Sequence, residues 1–135
     1  MDAQHKFFRL KIPSSFITDP HIQFMSANSL NENDVVVAIS QSGTTSALVN
    51  SVKILRKAGV KVIGIMPGNT PLANICNYPL TINVGENNRI SKPNTSRIAY
   101  TAVIDVLTMG VAQLKPEAQD HLYNIADSQR SLRIK

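Results

Sequence analysis

The sequence predicts an α/β fold, a three-layer α/β/α sandwich built on a mostly parallel sheet, and three observations carry that prediction. Val35, Val36, Val37, Ala38 and Ile39 form an unbroken apolar run that opens with three β-branched residues, the pattern of a strand buried on both faces. Leu48, Val52 and Leu55 then recur at intervals of four and three, the stripe of an amphipathic helix. Val60, Val62, Ile63 and Ile65 supply a second strand. Strand, helix and strand within about thirty residues make a βαβ unit, whose parallel pairing calls for a right-handed crossover.

The elements on either side extend the pattern. Ala3, Phe7, Phe8 and Leu10 suggest the end of a helix, Phe16 and Ile17 fit a short strand, and residues 20–30 fit a helix through Ile22, Met25, Ala27 and Leu30. Lys53, Arg56 and Lys57 fall near the end of the amphipathic helix, where cations suit its dipole, and Gly59 is the expected left-handed cap. Met66-Pro67-Gly68-Asn69-Thr70-Pro71 is a turn by composition, and Pro71 can open a short helix through Ile75. Residues 78–84 have the β-branched content of a strand, with Pro79 where an edge or a strand start tolerates it. Residues 85–95 read as a long loop. Thr95 or Ser96 can cap a helix to about Gln113 that is apolar on much of its circumference, and Pro116 opens a last helix through about Gln129. The chain starts on a helix with no strand before it, which is unusual for an alternating sheet.

Composition bounds the function. A chain of 135 residues suits one domain, so residues 1–135 are expected to form a single unit. At 43% hydrophobic and 17% charged it is too apolar for disorder, and no stretch reads as the roughly 18–20 apolar residues of a spanning helix. With no Trp and 5% aromatics, the core must come from Val, Ile, Leu and Ala. Lys and Arg outnumber Asp and Glu by 14 to 9, a surplus that permits an anionic partner without identifying one. The single Cys76 excludes an intramolecular disulfide and a Cys-rich zinc site within one chain, and fits a reducing compartment. The opening MDAQHKFFRLKI lacks the apolar stretch of a signal peptide, so a cytoplasmic protein without a membrane partner is expected.

The stretch that can carry chemistry is Ser40-Gln41-Ser42-Gly43-Thr44-Thr45. It joins a buried strand to a helix, the position where α/β folds bind ligands. Gly43 permits a tight turn and close backbone approach. The first helical amides lack intrahelical partners and sit at the positive end of the dipole, and four hydroxyls add donors without charge. This can form a cradle for a phosphate or another oxyanion. The alternative is a hydroxyl-rich helix cap and nothing more. No Lys follows Gly43, so it is not a Walker loop, and GxGxxG is absent.

With Asp34 to Ile65 in view, the sequence resembles the core of a SIS (sugar isomerase) phosphosugar-binding domain, whose hallmark S-x-S-G-x-T after a strand is matched by Ser40, Ser42, Gly43 and Thr45. DAQHKFFRL at 2–10 and TSRIAYTAVIDVLTMGVAQ at 95–113 narrow the resemblance to the effector domain of RpiR-type bacterial transcription regulators, closest to their HexR branch. The resemblance implies a SIS-like, flavodoxin-like topology and a sugar-phosphate effector. It implies that Ser40, Ser42 and Thr45 contact phosphate through their hydroxyls, with Gln41, Gly43 and Thr44 supplying loop amides. Ser96 and Arg97 match the family's Ser-Arg pair, which would meet the ligand or a partner subunit; Arg97 can instead serve a structural ion pair. The family places a helix-turn-helix domain and a first strand with a Gly-Ser-rich loop ahead of this region. Neither is in the sequence, so a domain incomplete at its N-terminus is expected, with DNA reached only through that helix-turn-helix domain.

The expected function is therefore a binding module. It would sense a phosphorylated sugar or sugar acid, with 2-keto-3-deoxy-6-phosphogluconate the first ligand to test, act as a homodimer, and need no metal or redox cofactor. The rival is an aldose–ketose sugar-phosphate isomerase, which needs a base beside the substrate carbon; only Glu86, in the loop before the long helix, offers itself, and no catalytic residue is assigned. A non-functional regulator fragment is the third reading. His5, His21 and His121 have no ligand spacing, and Cys76 reads as a small core residue.

Overall fold

The computed structural model describes residues 2–84 and 92–132, and for residues 92–96 the backbone alone. In chain order the elements are α1 (Asp2–Arg9), α2 (Pro20–Ser29), β1 (Val35–Ile39), α3 (Ser46–Lys57), β2 (Lys61–Met66), α4 (Pro71–Ile75), β3 (Tyr78–Thr81), α5 (Lys92–Leu114) and α6 (Pro116–Ser131). They fall into two compact units, Ile17–Val103 and the pair of segments Met1–Phe16 with Ile104–Lys135.

The first unit holds the sheet. Its strands lie in the order β1-β2-β3, all parallel, as the βαβ pattern predicts. Val35 pairs with Lys61 and Ile39 with Ile65; Ile63 pairs with Tyr78. Successive side chains of a strand point to opposite faces, and here Val36, Ala38, Val62 and Met66 face one way. That face packs against Ala27 and Leu30 from the α2 end, Val49, Val52 and Leu55 of α3, and Leu72 of α4. Burying each Val, Leu or Met among them contributes roughly 1.5–3 kcal/mol. The helix ends are closed as their sequences suggest. Asp19 caps α2 through its carboxylate, which accepts the His21 and Ile22 N–H groups. Gly59 ends α3 at φ +80°, with the Val60 N–H returning to the Leu55 carbonyl at 3.0 Å.

Three expectations about strands are corrected. The run Val35–Ile39 is not buried on both faces: Val35 is 63% exposed and Ile39 38%. β1 stands at the end of the strand order, and Val36 and Ala38 on its even-numbered face join the core that the helices cover. Phe16 and Ile17 form no strand, because two apolar residues without a ladder partner cannot satisfy their backbone groups. The third strand stops at Thr81 rather than 84, with Ile82 adding a last N–H bond to the Met66 carbonyl.

In the other unit α1 contacts α6. Leu10, Ile104 and Ala118 are buried, and Lys6 bridges Asp2 at 2.7 Å and Asp105 of α5. The end of α1 closes with the Ile12 N–H on the Phe7 carbonyl and the Lys11 N–H on that of Phe8, which places Lys11 at φ +58°, a position usually given to Gly.

Helix α5 begins at Lys92, before the expected Thr95 or Ser96 cap. Its Arg97–Leu114 stretch has a mean hydropathy of 1.2 over 18 residues and is long and apolar enough, by length and composition, to cross a membrane. This corrects the expectation that no stretch qualifies. The average is reached although Arg97, Thr101, Asp105 and Thr108 interrupt any continuous apolar run.

Candidate functional site

The loop at Ser40–Thr45 leaves the C-terminal end of β1. The Ser40 N–H still donates to the Ile65 carbonyl at 3.0 Å, so the ladder carries one residue into the loop. The chain then folds back on itself. Ser40 Oγ accepts the Gly43 N–H at 2.9 Å, and Ser42 Oγ accepts the Thr44 N–H at 3.2 Å, the local hydroxyl–backbone bonds that Ser favours in turns. Gly43 takes φ +65°. Thr45 is the residue before the first turn of α3; its backbone is extended and its side chain makes no capping bond.

This geometry divides the six residues into two groups. Ser40 and Gly43 are buried and satisfy each other, so they shape the loop. Gln41, Ser42, Thr44 and Thr45 are exposed. The Ser42 hydroxyl, though it accepts from Thr44, keeps its own proton to donate. No acidic residue stands in the first turn of α3, so nothing there opposes an anion at the positive end of the helix dipole. The arrangement can accept an oxyanion on neutral hydroxyls and unpaired first-turn amides.

Three residues not connected to the loop by the sequence lie directly on it. The Tyr100 hydroxyl of α5 donates to the Ser40 carbonyl at 3.2 Å, and burial pushes that phenol's pKa up. Thr70, before α4, lies so close to Gly43 that a Cβ at position 43 would fall 2.6 Å from the Thr70 Cβ. The Leu72 N–H, also in α4, donates to the Gly43 carbonyl at 3.1 Å. Tyr100 had one available signal: a phenol set in an apolar helix needs a partner for its hydroxyl. Thr70 had none beyond its turn.

Arg97 is exposed and stands one turn before Tyr100 on α5. Ser96 lies within α5, but its side chain is outside the described residues, and Glu86 is outside them altogether. Cys76 is half-buried and packs against the core; burial pushes its thiol pKa up, opposed by the nearby Arg56. His5 and His21 are exposed and His121 half-buried. Among the described residues no cluster of His, Cys, Asp and Glu could hold a metal ion.

The SIS domain family model matches residues 1–110. This chain belongs to the SIS domain family. As an SIS domain it is 37% identical over 129 residues to the HTH-type transcriptional regulator HexR of Pseudomonas aeruginosa, an alignment covering 95% of this chain and 45% of that protein. It is 39% identical over 111 residues to the bifunctional protein glk of Burkholderia thailandensis, covering 82% of this chain and 17% of the relative. The SIS chain thus spans less than half the length of these curated relatives. Among solved structures, the Vibrio vulnificus NanR protein complexed with ManNAc-6P superposes with a TM-score of 0.85 at 21% identity, covering 99% of this chain and 51% of that one. At that identity the superposition establishes the SIS-like α/β fold.

Proposed function

We propose that this SIS domain binds a phosphorylated sugar or sugar acid as the effector of a bacterial transcription regulator of sugar metabolism. The observation that carries the reading is the Ser40–Thr45 loop, held in a left-handed turn at Gly43 with the Ser42, Thr44 and Thr45 hydroxyls exposed ahead of α3. The phosphate sits on these hydroxyls and on the first amides of α3, and Arg97, exposed one turn before Tyr100 on α5, is the candidate cation. Regulators among the relatives and a solved SIS-like neighbour in complex with ManNAc-6P support a sugar phosphate over other anions. The named HexR relative supports a sensor rather than an enzyme, and 2-keto-3-deoxy-6-phosphogluconate is the first ligand to try. No DNA contact is assigned to residues 1–135.

We also assign a second copy of this chain as a partner. Ile98, Ala102, Val106 and Met109 are exposed on α5, and intervals of four, four and three place them on one helical face.

Calorimetric titration of the chain with a panel of sugar phosphates tests the effector reading. Micromolar binding is expected, weakened by Ser42→Ala by roughly 1–3 kcal/mol, or about five- to a hundred-and-fiftyfold. A folded sample that binds no member of the panel sinks the reading.

A further inference from the structure

We propose that Tyr100 and Thr70 are positioning residues for the Ser40–Thr45 loop, clamping its buried turn from two other elements so that the exposed hydroxyls are set before ligand arrives. The proposal rests on the phosphate-loop reading above.

Ser40 is held at three points. Its N–H is bonded to the Ile65 carbonyl, its hydroxyl accepts the Gly43 N–H, and its carbonyl takes the Tyr100 hydroxyl across sixty residues of sequence. Tyr100 is 7% exposed and its hydroxyl is bonded to the Ser40 carbonyl, so it acts through Ser40. Its raised pKa keeps the phenol a donor across the neutral range.

The other end of the turn is held at Gly43. The Gly43 carbonyl accepts the Leu72 N–H, an amide in the first turn of α4 that has no intrahelical acceptor. Thr70 fills the space beside the Gly43 Cα. Thr70 is itself immobilised: it is buried, its Oγ1 donates to the Pro67 carbonyl at 3.0 Å, and it accepts the Ala73 N–H at 3.3 Å. A six-residue loop with four Ser or Thr would otherwise sample many local hydroxyl–backbone pairings. Holding it in one of them lowers the ordering cost when ligand binds.

The test is amide NMR on the 15N-labelled full chain, with inorganic phosphate as probe. Tyr100→Phe keeps the ring and removes the donor. Gly43 amide exchange without ligand is expected to speed up about tenfold while the Val52 and Val62 amides keep their protection, a selectivity that a general loss of stability would not produce. Phosphate affinity read at Ser42 to Ser46 is expected to fall about three- to tenfold, the effect of one hydrogen bond. Thr70→Ser keeps the hydroxyl and removes only the methyl against Gly43, and should loosen Gly43 by a smaller factor; it decides the matter if Tyr100→Phe does not fold. Wild-type Gly43 protection in both variants, or a uniform loss of protection throughout the sheet unit, overturns the clamp. Wild-type protein that shows no response to phosphate overturns the phosphate-loop reading instead, and the ligand-free exchange comparison still decides the clamp.

Discussion

Gly43 meets two constraints of different origin. Its backbone sits at φ +65°, which costs an L-residue roughly 1–2 kcal/mol, and the Thr70 side chain occupies the place a Cβ would take. Gly43→Ala should therefore destabilise the chain by at least about 1–2 kcal/mol in urea denaturation, with NMR shifts spreading to Thr70; an unchanged midpoint would show that neither constraint operates. The first constraint was legible in the sequence, because a Gly among hydroxyl residues after a strand marks a tight turn. The second was not, since residues 43 and 70 meet only through tertiary packing. At this scale pH acts through Cys76, Tyr100 and Lys6. Burial raises the pKa of Cys76 and of Tyr100, and bonds to Asp105 and then Asp2 raise that of Lys6. In each case the folded state holds its proton to higher pH than the unfolded chain, so their stabilisation is complete below the unfolded values and is lost as pH rises through the folded ones. Unfolding free energy should decline from about pH 9 upward, and Tyr100→Phe should make that decline shallower above about pH 10. A decline of the same slope in the variant would remove Tyr100 from the account.

At the scale of elements, α3 and α5 show what periodicity can and cannot tell. The Leu48, Val52 and Leu55 stripe of α3 faces the sheet as its spacing predicts. Helix α5 is apolar around most of its circumference, so its sequence could not say which face is buried. The structure buries Tyr100, Ile104 and Thr108 and leaves Ile98, Val106 and Met109 exposed. If that exposed face meets a second copy, Val106→Glu should shift the chain from dimer to monomer in sedimentation equilibrium, because a charge would be desolvated in the contact. A wild-type monomer at high micromolar concentration, or a dimer unaffected by the change, counts against this face. β1 carries the converse lesson. An all-apolar run is compatible with two buried faces, but exposure depends on what flanks the strand, and β1 ends the strand order.

At the scale of the molecule, the sheet-bearing unit concentrates the fully buried side chains, Val52, Val60, Val62, Ile65, Met66 and Leu72. The unit formed by α1, the end of α5 and α6 buries Leu10, Ile104, Thr108 and Ala118 among its described residues. Local opening is easiest where few apolar contacts resist it, so hydrogen exchange should be slowest in β2 and α3 and fastest in α6; equal protection throughout would contradict this. By itself, the sequence determined the α/β class, the βαβ order, the cap at Gly59, the helix start at Pro71, and the loop at Ser40–Thr45. All of these follow from local rules: side-chain period, β-branching, the freedom of Gly and the fixed φ of Pro. Only the tertiary structure decided that Ser40 and Gly43 are committed to each other, that Tyr100 and Thr70 hold them, and which faces of β1 and α5 stay exposed. Those outcomes depend on contacts between residues tens of positions apart, and no local periodicity encodes which distant side chain arrives.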